Sequence, residues 1–342
     1  MEKEYGKNED RIDTENDLKN IPLQTENIAF KPEEMIACEK CERTNPPTRL
    51  KCFYCGGELS ISGAQSAGIR PNLRKLENWE KGYNLIYSPD LQIETNPDLA
   101  KTAETLGLET EILQKIFAVK TSLPVARTES EREAEIISQK LREHGFFVSV
   151  ISDEALAADN LPTRLRGLEF DGEKIILIYF NSHEIAEIRR EDLTLIVSGA
   201  LFERKTESIE KRKKGESQIL NATETASDEI LIDIYSRENS NGCRILTKGF
   251  DFSCLGTEKG ITSAENMKKL VARLRKFAPE AKFVGDYPAV REMLGFVWEN
   301  EQKKESQGLK RRSFSKFDLS SVTTSSNLQQ FTKYSRLQRQ VL

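Results

Sequence analysis

Four cysteines carry the one arrangement in this chain whose residue types and spacing specify a chemistry. Cys38-Glu39-Lys40-Cys41 is followed after ten residues by Cys52-Phe53-Tyr54-Cys55-Gly56. Two such Cys-x-x-Cys pairs can set four thiolates about 2.3 Å from one ion in the closed tetrahedron that structural Zn²⁺ takes. A redox Cys-x-x-Cys would be single and set in a strand-helix unit. Cys38, Cys41, Cys52 and Cys55 are therefore the expected ligands of one structural zinc. With cysteine at all four places, no position stays open for a catalytic water. Gly56 follows the second pair, where the backbone often turns left-handed. About twenty-five residues cannot bury enough surface to fold alone, and a thiolate zinc site contributes on the order of 10–16 kcal/mol.

The spacing between the pairs goes further. Three residues separate Cys41 from Asn45, and six separate Asn45 from Cys52. Residues 36–56 thereby resemble the Ran-binding-protein (nucleoporin) type of zinc finger, whose pattern is Trp-x-Cys-x(2–4)-Cys-x3-Asn-x6-Cys-x2-Cys. The resemblance implies a short two-hairpin ribbon around one zinc, with Asn45 bracing the loop between the knuckles. Ile36 stands where that family has Trp, Glu42-Arg43 where its ubiquitin-binding members have Thr-Phe, and Pro46-Pro47 follow Asn45. Members that bind single-stranded RNA use arginines and a stacking aromatic beyond the Asn; here Arg49 and Lys51 are the candidates. A generic zinc ribbon accounts for the module equally well. The remainder of the chain resembles uncharacterised bacterial proteins.

The other residues that could do chemistry are sparse. Motifs for phosphate cradles, dinucleotide binding, a nucleophilic serine or a His-Glu-x-x-His zinc site are absent. Of two histidines, His144 falls at a helix C-terminus, where it suits the dipole, and His183 in a surface turn. Cys243 and Cys254 sit in apolar surroundings and read as core thiols. An enzyme built from scattered groups in residues 70–300 would need a cleft holding perturbed titratable side chains.

The elements that would position these residues divide the 342-residue chain into several segments. Residues 1–33 are polar and acidic and read as a disordered N-terminus, 34–60 as the finger, and 61–70 as a Gly/Ser linker. Residues 71–155 read as a ferredoxin-like α+β domain. It would have a helix from 71 with Leu73, Leu76 and Trp79 on one face, a strand at 83–87, helices at 97–106 and 110–116, and a strand at 122–127. A helix from a Thr128/Glu131 capping box to His144, stopped by Gly145, and a strand at 146–151 would complete it. Residues 160–302 read as a strand-rich, pleckstrin-homology-like domain with C-terminal helices. Its features are a hairpin around Asp171-Gly172, a strand at 193–202, a charged mobile loop at 203–217 and a hairpin around 239–242. A helix capped by Thr262 and Glu265 and a last helix over 288–301 follow.

Residues 303–342 read as a basic disordered tail, with nine Lys/Arg against two acids. In it Lys310, Arg311 and Arg312 are candidate nucleic-acid contacts, and further basic residues interleave with Phe314, Phe317, Phe331 and Tyr334. The fold class expected is α+β. A net charge of −4 argues against nucleic-acid binding over the whole surface. No apolar run reaches the ~20 residues of a membrane span, and reduced thiols point to the cytoplasm. The expected function is a non-enzymatic zinc-binding adaptor for an unidentified protein partner. Single-stranded RNA binding through the finger and tail is the alternative.

Overall fold

The computed structural model describes residues 35–47, 49–60, 73, 75–92, 96–182, 184–213, 216–313 and 316–342, leaving aside the side chains of 209–222 and 307–320. The expectations for 1–33, the 61–70 linker, His183 and Phe314 lie outside the described residues. The chain forms two compact units, Met1–Pro71 and Asn72–Leu342.

In the smaller unit, β1 (Ile36–Ala37) pairs antiparallel with β2 (Thr44–Asn45), Ile36 opposite Asn45. A bridge between Lys51 and Glu58 closes the second half. Its buried apolar residues are Ile36, Cys38, Cys52 and Leu59.

The larger unit is mixed α/β. Strand β3 (Tyr83–Tyr87) lies between β4 (Leu123–Thr128) and β5 (Val148–Ser152), antiparallel to both. The helices α1 (Leu99–Leu106), α2 (Thr110–Phe117) and α3 (Glu131–Glu143) accompany this sheet. Pro124 is tolerated because β4 is an edge strand. On α3 the buried residues are Ala134, Ile137 and Leu141, as the period predicts, and Gly145 leaves it at φ +76°. Its cap is Ser130, which accepts from Glu133 N–H; Thr128 instead ends β4. With three strands and one crossing helix, the layer is smaller than the four-stranded ferredoxin-like pattern.

The second sheet has nine strands among the described residues. They are β6 (Thr163–Asp171), β7 (Lys174–Tyr179), β8 (Ile185–Arg189), β9 (Leu193–Lys213), β10 (Glu216–Ser236), β11 (Cys243–Leu246), β12 (Lys282–Val284), β13 (Glu301–Ser313) and β14 (Lys316–Ser326). The order is β13-β14-β9-β10-β11-β6-β7-β8, with β12 added to β9. The β6–β7 turn has Gly172 at φ +59° and the β10–β11 turn has Gly242 at φ +70°, where the sequence placed hairpins. Parallel joins of β11 to β6 and β12 to β9 make the sheet mixed. One edge of it, β13 and β14, comes from residues 301–326, unlike the pleckstrin-homology-like arrangement expected of 160–302 alone. Helix α4 (Asp153–Leu156) follows β5 directly. Helix α5 (Ser263–Phe277) starts at Thr262, whose hydroxyl accepts from Glu265 N–H. Helix α6 (Tyr287–Leu294) is half as long as expected, and α7 (Leu328–Gln340) ends the chain.

The charged stretch 203–217 is not a loop: within it β9 runs to Lys213 and pairs with both β10 and β14. The disordered tail is instead two strands and a buried helix, with Phe331, Tyr334 and Leu337 fully enclosed. One apolar cluster joins Leu85 and Ile137 to Leu195, Trp298, Phe331 and Tyr334, so 71–155, 160–302 and the tail are one unit rather than three segments. The helix from 71 is also not formed at its described end: Trp79 sits in a turn and is exposed.

Candidate metal centre

The finger is built from two tight turns facing each other. In the first, Glu42 N–H donates to the Cys38 carbonyl at 2.7 Å and Cys38 N–H to the Arg43 carbonyl at 3.0 Å. In the second, Gly56 N–H donates to the Cys52 carbonyl at 2.9 Å and Cys52 N–H to the Gly57 carbonyl at 2.7 Å. Each turn needs one left-handed residue. Gly56 supplies it at φ +68° without steric cost, and Glu42 takes it at φ +59°.

The turns bring the four predicted sulfurs together. All lie within 4.8 Å of one another. Cys38 Sγ is 3.6 Å from Cys55 Sγ, and Cys41 Sγ is 3.5 Å from Cys52 Sγ. A tetrahedron with 2.3 Å metal–sulfur bonds has edges of about 3.8 Å. The four cysteines are thus placed to hold one metal ion, compatible with zinc, and the donor set is complete without water. Cys38 and Cys52 are buried, Cys41 and Cys55 half-buried.

Asn45 braces the centre from β2. Its amide donates to the Arg43 carbonyl at 2.9 Å and to Cys52 Sγ at 3.4 Å, while its oxygen accepts Phe53 N–H at 2.8 Å. One buried side chain therefore fixes both turns. Tyr54 N–H also points at Cys52 Sγ, at 3.4 Å. Burial raises the Cys52 thiol, yet the Cys55 and Tyr54 N–H groups, Asn45 and Cys41 outweigh it and bring it down to about 6. At Cys41 the Arg43 backbone favours the thiolate, but burial and the neighbouring sulfurs of Cys52, Cys55 and Cys38 push the thiol up to about 12. Cys52 is the sulfur made ready for a cation, and Cys41 the one whose proton a metal must displace.

The second turn presents a surface that the sequence reading missed. Phe53 and Tyr54 are 66% and 54% exposed and meet edge to face at 5.4 Å. The Arg43 guanidinium lies 4.7 Å from the Tyr54 ring centre and that of Arg49 lies 4.8 Å from the Phe53 ring centre. The signal was available: two aromatics between paired ligands have no core to enter. Arg49 is thus on this face, whereas Lys51 bridges Glu58 through its backbone. Lys310 and Arg311 belong to the larger unit, in β13, opposite Asp318 and Phe317 of β14, and Arg312 lies in the same strand.

Elsewhere, Cys243 is buried, and burial with the Asp233 carboxylate pushes its thiol up to about 11. Burial does the same to Cys254. Both behave as core thiols, and among the described residues only the finger forms a metal-binding group. His144 caps α3 and meets Thr105 Oγ1 at 3.4 Å. No described helix is long and apolar enough to cross a membrane. The chain matches no protein-family model, no curated protein and no solved structure.

Proposed function

We propose that the chain is a zinc-binding adaptor whose finger holds one structural Zn²⁺ and offers the Phe53/Tyr54 face to a macromolecular partner. The metal does no chemistry, since four thiolates complete its shell. A cytoplasmic or otherwise reducing location follows from the need for thiolates. The observation that carries the reading is the pairing of two exposed aromatics with two arginines on a turn fixed by ligands. Large amphipathic rings and arginine are the side chains that most often anchor interfaces.

Single-stranded RNA is the second reading, supported by the same face and by the resemblance to Ran-binding-protein fingers. Arginine–aromatic stacks accept bases at about 1–3 kcal/mol per base. The C-terminal segment adds less than its composition suggests, because Lys333 and Arg336 are buried. Lys310, Arg311 and Arg312 stay as candidate contacts.

Titration of zinc-loaded protein into labelled single-stranded RNA, at low and moderate salt, separates the two. RNA binding predicts steep salt dependence and a loss of about 10–100-fold in Phe53→Ala and Arg49→Ala. Binding that is absent or indifferent to both changes removes RNA. Protein capture on wild-type but not Phe53→Ala finger then supports the adaptor, and equal capture by both overturns this face as its site.

A further inference from the structure

The larger unit contains a second chemistry-bearing cluster, built without the finger. A cleft of about 670 Å³ has Arg127, Asp153 and Lys333 in its lining. They come from β4, α4 and α7. Side-chain exposure is 4% for Arg127 and 9% for Asp153, and 6% for Lys333. Asp153 Oδ2 accepts from Gly82 N–H at 2.9 Å and Arg127 Nε at 2.8 Å, while Oδ1 accepts from Asn84 at 3.0 Å. Arg127 is engaged further by the carbonyls of Glu77 and Glu80. Lys333 Nζ stands 3.4 Å from Asp153 Oδ1 and 5.9 Å from the centre of the Trp298 ring.

Two buried cations thus share one carboxylate. Arg127 never gives up its proton, so the imbalance falls on Lys333. Burial first, then the Arg127 charge, lowers its proton affinity, and Asp153 only partly restores it. A lysine that is desolvated, next to a second cation and open to a cleft is in the condition that makes the amine a nucleophile.

We propose that Lys333 captures a small polar aldehyde or ketone in this cleft as an imine. The neutral amine attacks the carbonyl carbon and the carbonyl oxygen takes up a proton. The carbinolamine then loses water, so ammonium plus carbonyl gives protonated imine plus water, with no oxidant or reductant required. The product keeps the single positive charge of Lys333, and Asp153 remains its counterion. Asn78, Asn160, Gln302 and Gln329 line the same cleft and offer donors and acceptors for substrate hydroxyls. Five acids (Glu80, Asp153, Glu154, Asp159, Glu301) and four cations (Lys81, Arg127, Lys303, Lys333) line the cleft, a nearly balanced wall that suits a neutral hydroxy-carbonyl compound better than a polyanion.

The test uses the full-length, zinc-loaded wild type with glycolaldehyde and cyanoborohydride, which reduces the imine to a stable amine, followed by peptide mapping. The expected result is labelling of Lys333 about tenfold faster than of Lys81 and Lys303 in the same cleft lining. In urea that ratio should collapse to about one, because the advantage belongs to the folded site. Lys333 that stays unmodified, or reacts no faster than those two lysines in the folded protein, overturns the proposal. Lys333→Arg should lose the fast site alone; where that variant fails to fold, the wild-type rates decide.

Discussion

Asn45 ties both halves of the finger to one sulfur, and its loss should be felt in the metal rather than in the number of metals bound. Removing an amide that holds a ligand typically weakens affinity about 10–100-fold. Asn45→Ala should therefore still bind one zinc, but yield it sooner to a chromophoric chelator in a competition titration. At the Asp153 cluster the two partners should behave oppositely. Burial would raise the Asp153 carboxyl, but Lys333, Asn84 and Arg127 outweigh it and hold it below the usual range. A carboxylate depressed in the folded state stabilises the fold above its unfolded value of about 3.9, and this is lost as pH falls through the folded value. Lys333 is also depressed, so its charge opposes folding at neutral pH, an opposition relieved as pH rises toward the unfolded value of about 10.4. Asp153→Ala strands two buried cations and should cost about 3–5 kcal/mol at pH 7, a deficit that shrinks near pH 3. Lys333→Met leaves the Arg127–Asp153 pair intact and should be neutral or stabilising. Urea unfolding of both variants at the two pH values checks the contrast.

Helix α7 shows how an element can escape a reading of the sequence. Its apolar residues Phe331, Tyr334 and Leu337 keep a helical spacing, but Gln330, Thr332, Ser335 and Gln338 around them look like solvated tail. Each polar group has a buried partner. Gln330 donates to the Trp298 carbonyl at 2.7 Å, Ser335 meets Tyr235 Oη at 2.7 Å, and Gln338 donates to the Ser122 carbonyl at 3.0 Å. Those partners are over thirty to over two hundred residues away, so no local pattern could announce them. Helix α3 was legible for the converse reason: its apolar period and glycine stop are local, and even its cap was misplaced by only two residues, from Ser130 to Thr128. The approach of α7 to β9 depends on Gly199, where an added methyl would collide with the Phe331 ring and press on Tyr287. Gly199→Ala should cost about 1–3 kcal/mol in thermal or urea unfolding. Deleting 328–342 should leave the larger unit unable to fold cooperatively, seen as loss of a sharp melting transition by circular dichroism.

At the scale of the whole chain, the legible part is the part whose chemistry is written in spacing. Cys38, Cys41, Cys52 and Cys55 identify their common purpose within eighteen residues. By contrast, strand β9 pairs with β14 more than a hundred residues later and in parallel with β12; alternation along β9 says nothing about either neighbour. The same difference governs how the two units should respond to metal removal. Among its described residues the smaller has four buried apolar side chains, two of them cysteines of the metal cluster, too few to offset the entropy of ordering the chain. On the zinc reading, the ion would supply most of its folding free energy, on the order of 10–16 kcal/mol. The larger unit has two extensive apolar clusters and, among its described residues, no metal-binding group. A strong chelator should therefore collapse the amide resonances of Ile36, Asn45 and Leu59 to unfolded positions. The melting transition of the larger unit should move by less than about 1 °C, under the roughly 2 °C that 1 kcal/mol produces in a domain of this size. A larger loss on chelation would mean that the metal supports both units, and the picture of two independently stabilised bodies would fail.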